Sequence, residues 1–115
     1  MSDKIFKIAN AGAWAAAEAL GRFDGAPVDL ADGYIHFSTR AQVAETAARH
    51  FAGQADLILV AVDPASLGTA LRYEPSRGGQ LFPHLYGPLP LSAVAWTAPL
   101  PLGSDGRHLF PEFDR

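Results

Sequence analysis

The chain alternates between two kinds of hydrophobic pattern, and their boundaries predict the elements. Lys4 to Ala9 (KIFKIA) is rich in strand formers and predicts a first β-strand. Asn10 can cap the alanine-rich segment Ala11 to Leu20, a predicted helix that ends at Gly21. Arg22 to Gly33 is dense in Gly, Pro and Asp and predicts a long loop. In GYIHFS, a period of two puts Tyr34, His36 and Ser38 on one face and Ile35 and Phe37 on the other. Thr39 with Gln42 predicts a capping box. In the helix it starts, Ala44, Ala47, Ala48 and Phe51 form the expected core stripe, and Gly53 closes it.

The second half predicts strands. Leu57 to Val62 (LILVAV) has no polar face and reads as a central strand buried on both sides. Ala70 to Glu74 alternates, with Leu71 and Tyr73 opposite Arg72 and Glu74. Gln80 to Gly87 reads as a short strand in which Pro83, lacking a donor, predicts an edge position, a strand start or a bulge. Ser92 to Leu100 is a last strand, and a tail follows that Leu109, Phe110 and Phe113 would pin. The order β-α-β-α-β-β-β-β predicts an α+β fold: two early helices packed on a split, mostly antiparallel sheet. The expected organisation is a single domain over 1–115, with a core at 5–100 and a tail at 101–115.

Composition narrows the function. With 115 residues, one modest core is expected. Nine basic against twelve acidic residues give a net charge of −3, a poor match to non-specific nucleic-acid binding. The chain has no cysteine, which excludes disulfides, thiolate metal sites and cysteine nucleophiles. No apolar run is long enough to span a bilayer as a helix, and no secretion signal is apparent, so a cytoplasmic protein is expected. No metal motif, phosphate loop of the Walker or dinucleotide type, or G-x-S-x-G elbow is present. Oligomeric state has no signature here.

DGYIHFST, LRYE and FPHLYGPL, together with DLILVAVD, closely resemble the bacterial family known as domain of unknown function 952, over about Ile5 to Leu100. That resemblance implies an ADP-ribosyltransferase-like fold. GYIHFSTRAQVAETAARHF with LILVAVD is similar to a segment of RNA 2′-phosphotransferases and, more distantly, of poly-ADP-ribose polymerases. On the first comparison His36 matches a motif histidine; on the second it matches a tyrosine that stacks on nicotinamide. His84 falls at or beside the polymerases' catalytic glutamate. Two departures stand out. The first strand, IFKIANAG, has neither of the nucleotide-holding pairs of those enzymes, and FPHLYG has no glutamate.

The resemblance and the residue types select His36, His84 and Glu74 as candidate catalytic groups. Histidine can donate and accept near neutral pH, and the nearest carboxylate in sequence to FPHLYG is Glu74. Ser38, Arg77, Tyr34 and Tyr86 are candidate ligand contacts: a hydroxyl for a ribose, an arginine beside flexible glycines for a phosphate, and two aromatic rings. Each also has a plain structural alternative: packed histidines, a turn serine, a surface ion pair joining Glu74 to Arg72 or Arg77, and core tyrosines. Trp14 reads as a packing anchor, and Asp32-Gly33 as a tight turn. The expected ligand is NAD, ADP-ribose or a related phosphorylated nucleotide, handled by a transferase or glycohydrolase. The alternatives are a non-catalytic small-ligand-binding or regulatory domain and, more weakly, a structural interaction module.

Overall fold

The computed structural model describes residues 3–113, except for the side chain of Arg77. Among these residues the chain forms three α-helices, nine short strands and three 3-10 turns. β1 (Ile5–Asn10) leads into α1 (Ala11–Leu20). The Asn10 side chain accepts from the N–H groups of Gly12 and Ala13, and Gly21, at φ 93°, ends the helix by donating to Ala17. Replacing Asn10 with alanine is expected to lower stability by about 1 kcal/mol, read as a shift in the urea midpoint with unchanged slope.

Every strand pair is antiparallel. A four-stranded sheet has the order β4-β1-β5-β9, with β4 Ser38–Thr39, β5 Leu57–Val62 and β9 Val94–Pro99. Its two faces are buried under different layers. Ile5, Ala9, Val60 and Val62 pack with Trp14 and Ala17 of α1 and with Ile35, Phe37 and Leu85. Phe6, Ile8, Leu59 and Ala61 pack under Val43 and Ala47 of α3 (Val43–His50), with Phe51, Phe110 and Phe113 against them. This double cover explains why LILVAV lacks a polar face.

A three-stranded sheet has the order β3-β7-β6, with β3 Ile35–His36, β6 Leu71–Pro75 and β7 Leu81–Leu85. β2 (Arg22–Phe23) pairs with β8 (Leu89–Pro90). GYIHFS is therefore not one strand. It pairs with β7 through His36, then switches sheets at Phe37 and pairs with β1 from Ser38.

Four expectations need correction. The loop Arg22 to Gly33 contains β2 and a helix, α2 (Pro27–Asp32). Pro27 at its first position and Asp29, whose carboxylate accepts from the Ala26 N–H at 2.7 Å, are helix-start chemistry hidden in a loop-like composition. The core stripe of α3 is Val43 and Ala47; Ala44 and Ala48 are exposed. The Thr39–Gln42 contact forms, with Thr39 N–H donating to Gln42 Oε1 at 3.0 Å, but the helix begins after it. Finally, β7 is central despite Pro83. The Pro83 carbonyl accepts from the Phe37 N–H at 2.9 Å, so the Phe37–Pro83 pair keeps one bond and lacks only the return donor, at the point where β3 ends. In the tail, Phe110 and Phe113 pack inward while Leu109 is exposed.

Candidate functional site

The three-stranded sheet turns Ile35 and Leu85 into the core. By alternation, its other face carries chemistry. Across it, Arg72 pairs with His84 and His84 with His36, in one row over three strands. Tyr34, Glu74 and Tyr86 flank that row. Tyr34 stacks on His84 with centroids 4.1 Å apart and lies 4.7 Å from His36 and 5.2 Å from Tyr86. The two imidazoles are 5.6 Å apart, edge to face.

Both histidines line one cavity of about 530 Å³. Phe6, Phe37, Phe51 and Phe82 supply aromatic wall, and Ser38 and Thr46, joined by a 2.8 Å hydroxyl hydrogen bond, supply polar wall. The switch at Phe37 makes this space, because β1 pairs with β4 only at Ile5 and Phe6. Tyr34, Glu74 and Tyr86 do not line it; they stand behind the histidines. The side chain of Arg77 lies outside the described residues, and its backbone is in the turn Arg77–Gly79.

His36 and His84 have different surroundings. His36 Nδ1 is 2.6 Å from Asp29 Oδ1, and its Nε2 is 2.9 Å from Asp32 Oδ2. A carboxylate at each nitrogen calls for an N–H on both, the pattern of an imidazolium. The ring is thus committed to protein partners. Asp29 is 2% exposed and also holds Lys7, whose Nζ lies 2.9 and 3.1 Å from its two oxygens. Burial pushes the Asp29 carboxyl up, but the His36 hydrogen bond, the Lys7 charge and the Ala26 N–H outweigh it and leave it down at about 2. Gly25, at φ 121°, is required beside it: a Cβ there would come within 2.9 Å of the Asp29 Cβ.

His84 is buried, and its Nδ1 is 2.8 Å from Glu74 Oε1, the oxygen that also accepts from the Tyr86 hydroxyl at 2.7 Å. Hydrogen bonds from Tyr86 and then His84 hold the Glu74 carboxyl below its usual range. An ionised Glu74 only accepts, so Nδ1 carries the hydrogen, and in the neutral ring Nε2 is then the nitrogen with the lone pair. That Nε2 has no hydrogen-bond partner among the described residues. Arg72 stacks over Tyr86, 4.9 Å from the ring centroid.

Asp29 and Lys7 are the residues that sequence reasoning missed. Lys7 had a signal: it shares the period-two face of Ile5 and Ala9 in an otherwise apolar strand. Asp29 had a weaker one, standing two residues after Pro27.

A family described as "Protein of unknown function (DUF952)" matches residues 8–97. The crystal structure of protein CC0527 from Caulobacter crescentus is 52% identical, with 92% of this chain and 93% of that one covered, at a TM-score of 0.89. The solution NMR structure of CC0527 is 53% identical over 90% of each chain, at a TM-score of 0.82. No functionally curated protein matches the chain. Among the described residues, no helix is long and apolar enough to cross a membrane.

Proposed function

The chain belongs to the DUF952 family, and from the geometry of its cavity we propose that it binds the flat ring of a nucleotide-like small molecule: NAD, ADP-ribose or a relative. One observation carries this reading. His84, oriented by Glu74, has an unpartnered Nε2 among the described residues and lines a cavity walled by four phenylalanines. Aromatic walls with a few aimed polar groups suit a planar ring better than a sugar or a polyanion. Among the described residues no arginine side chain lines the cavity, and the Lys7 ammonium is held by Asp29, so we place the phosphates of such a ligand at the mouth. Arg77 enters this proposal only through its place beside Gly78 and Gly79, as does a finer reading of the fold as ADP-ribosyltransferase-like through its sequence motifs.

The chemistry proposed is glycosidic. His84 Nε2 takes a proton from water as its oxygen bonds to the anomeric carbon and the bond to nicotinamide breaks, giving ADP-ribose, nicotinamide and one proton. His36, clamped by two carboxylates, shapes the wall and holds α2. Ser38 Oγ, whose hydrogen goes to Thr46, accepts from the ligand, and Tyr34 and Tyr86 position His84 by stacking and through Glu74.

One observation favours a purely binding role. Asp32 is the carboxylate of the described lining, and it is already bound to His36, which leaves no free carboxylate there to stabilise a cationic sugar. A thermal-shift panel of NAD, ADP-ribose, nicotinamide and adenosine tests binding. A true ligand at 100 times its dissociation constant adds about 2.7 kcal/mol. No shift with any of the four rejects the nucleotide reading.

A further inference from the structure

Lys7 has the surroundings of a reactive amine. It projects from β1 on the side of Ile5 and Ala9, is 5% exposed, and lines the cavity. Its ammonium has one ion-pair partner among the described residues, Asp29. That carboxylate also serves His36, and His36 has Asp32 as a second anion. One buried carboxylate thus faces two cations, and Lys7 is the less compensated of them. Loss of its proton leaves a compensated Asp29–His36 pair behind. Burial pushes the ammonium down further than Asp29 raises it. The other titratable groups lining the space are Asp32 of α2, His50 of α3 and His84 of β7. Lysine is also the basic residue suited to this role, since arginine stays charged when buried. The chain has only Lys4 and Lys7 among its nine lysines and arginines.

We propose that Lys7 captures aldehydes and ketones entering the cavity as imines. The ammonium first releases a proton to water. The nitrogen lone pair then bonds to the carbonyl carbon, the π electrons move to oxygen, and a proton passes from nitrogen to oxygen to give a carbinolamine. Loss of water forms the C=N bond. The two amine hydrogens leave with the carbonyl oxygen, and no oxidant or reductant is consumed. The phenylalanine walls select carbonyls borne on a flat apolar body.

The test is reductive trapping of the full-length protein with benzaldehyde and cyanoborohydride, followed by peptide mass mapping. Lys4 and the terminal amine are internal controls. At about pH 6, Lys7 is expected to gain the benzyl group about tenfold faster than Lys4, despite being more buried. In denaturant the two lysines should label equally. Lys7 labelling no faster than Lys4 in the folded protein overturns the proposal, as does a Lys7 adduct that forms only on unfolding. Because the comparison is made within the parent chain, no variant needs to fold.

Discussion

Replacing Asp29 with alanine is expected to cost the fold about 3–5 kcal/mol at neutral pH, among the largest losses any single substitution here would cause. The carboxylate is buried and simultaneously binds the Lys7 ammonium, the His36 ring and backbone N–H, and the Ala26 N–H. Removing it leaves two cationic side chains facing each other without their shared anion. It also removes the side-chain ties from α2 to Lys7 of β1 and His36 of β3. The check is a urea midpoint well below that of the parent.

The same carboxyl sets an acid limb. Its usual value of 3.8 falls to about 2 in the folded chain. A depressed carboxyl stabilises the fold above 3.8, and that stability is lost as pH falls toward 2. The gap corresponds to about 2 kcal/mol. The alanine variant should lack this limb, so the two stability curves draw closer by about 2 kcal/mol at low pH. Parallel curves would mean that the Asp29 network does not hold the fold.

Much of this arrangement was legible, for specific physical reasons. A period of two in GYIHFS, LRYE and FPHLYG put Tyr34, His36, Arg72, Glu74, His84 and Tyr86 on matching strand faces, and antiparallel pairing brought those faces together. Alternation survives a sheet switch, so His36 was placed correctly even though its strand is only two residues long. What was not legible depends on contacts between distant segments. Asp29 lies 22 residues from Lys7, and its segment has the composition of a loop. Pro83 misled because a missing donor argues for an edge only when a neighbouring strand runs past it; here β3 stops at His36. The division between cavity wall and supporting layer was also out of reach. Tyr34 and Tyr86 share a face with the histidines yet stand behind them.

That division gives the second large expected effect. Changing His84 to asparagine removes the group with the free nitrogen while keeping a polar side chain on β7. On the glycosidic reading, release of nicotinamide from NAD should fall by about 10²–10⁴-fold, the usual contribution of a positioned acid–base group. Binding measured by thermal shift should change far less, because the aromatic walls remain. Glu74→Gln acts at one remove. It keeps the Tyr86 contact but removes the charge that fixes the His84 tautomer. A smaller loss of rate is therefore expected, together with a change in the pH profile, which a merely structural residue would not produce. Tyr86→Phe deletes one donor to Glu74 and should give the mildest of the three effects. The ordering His84 before Glu74 before Tyr86 follows from distance to the free nitrogen. Equal losses for all three would point to a shared folding defect. A parent chain that binds NAD but releases no nicotinamide assigns the cavity to binding alone, and the orientation of His84 by Glu74 then serves hydrogen bonding to the ligand.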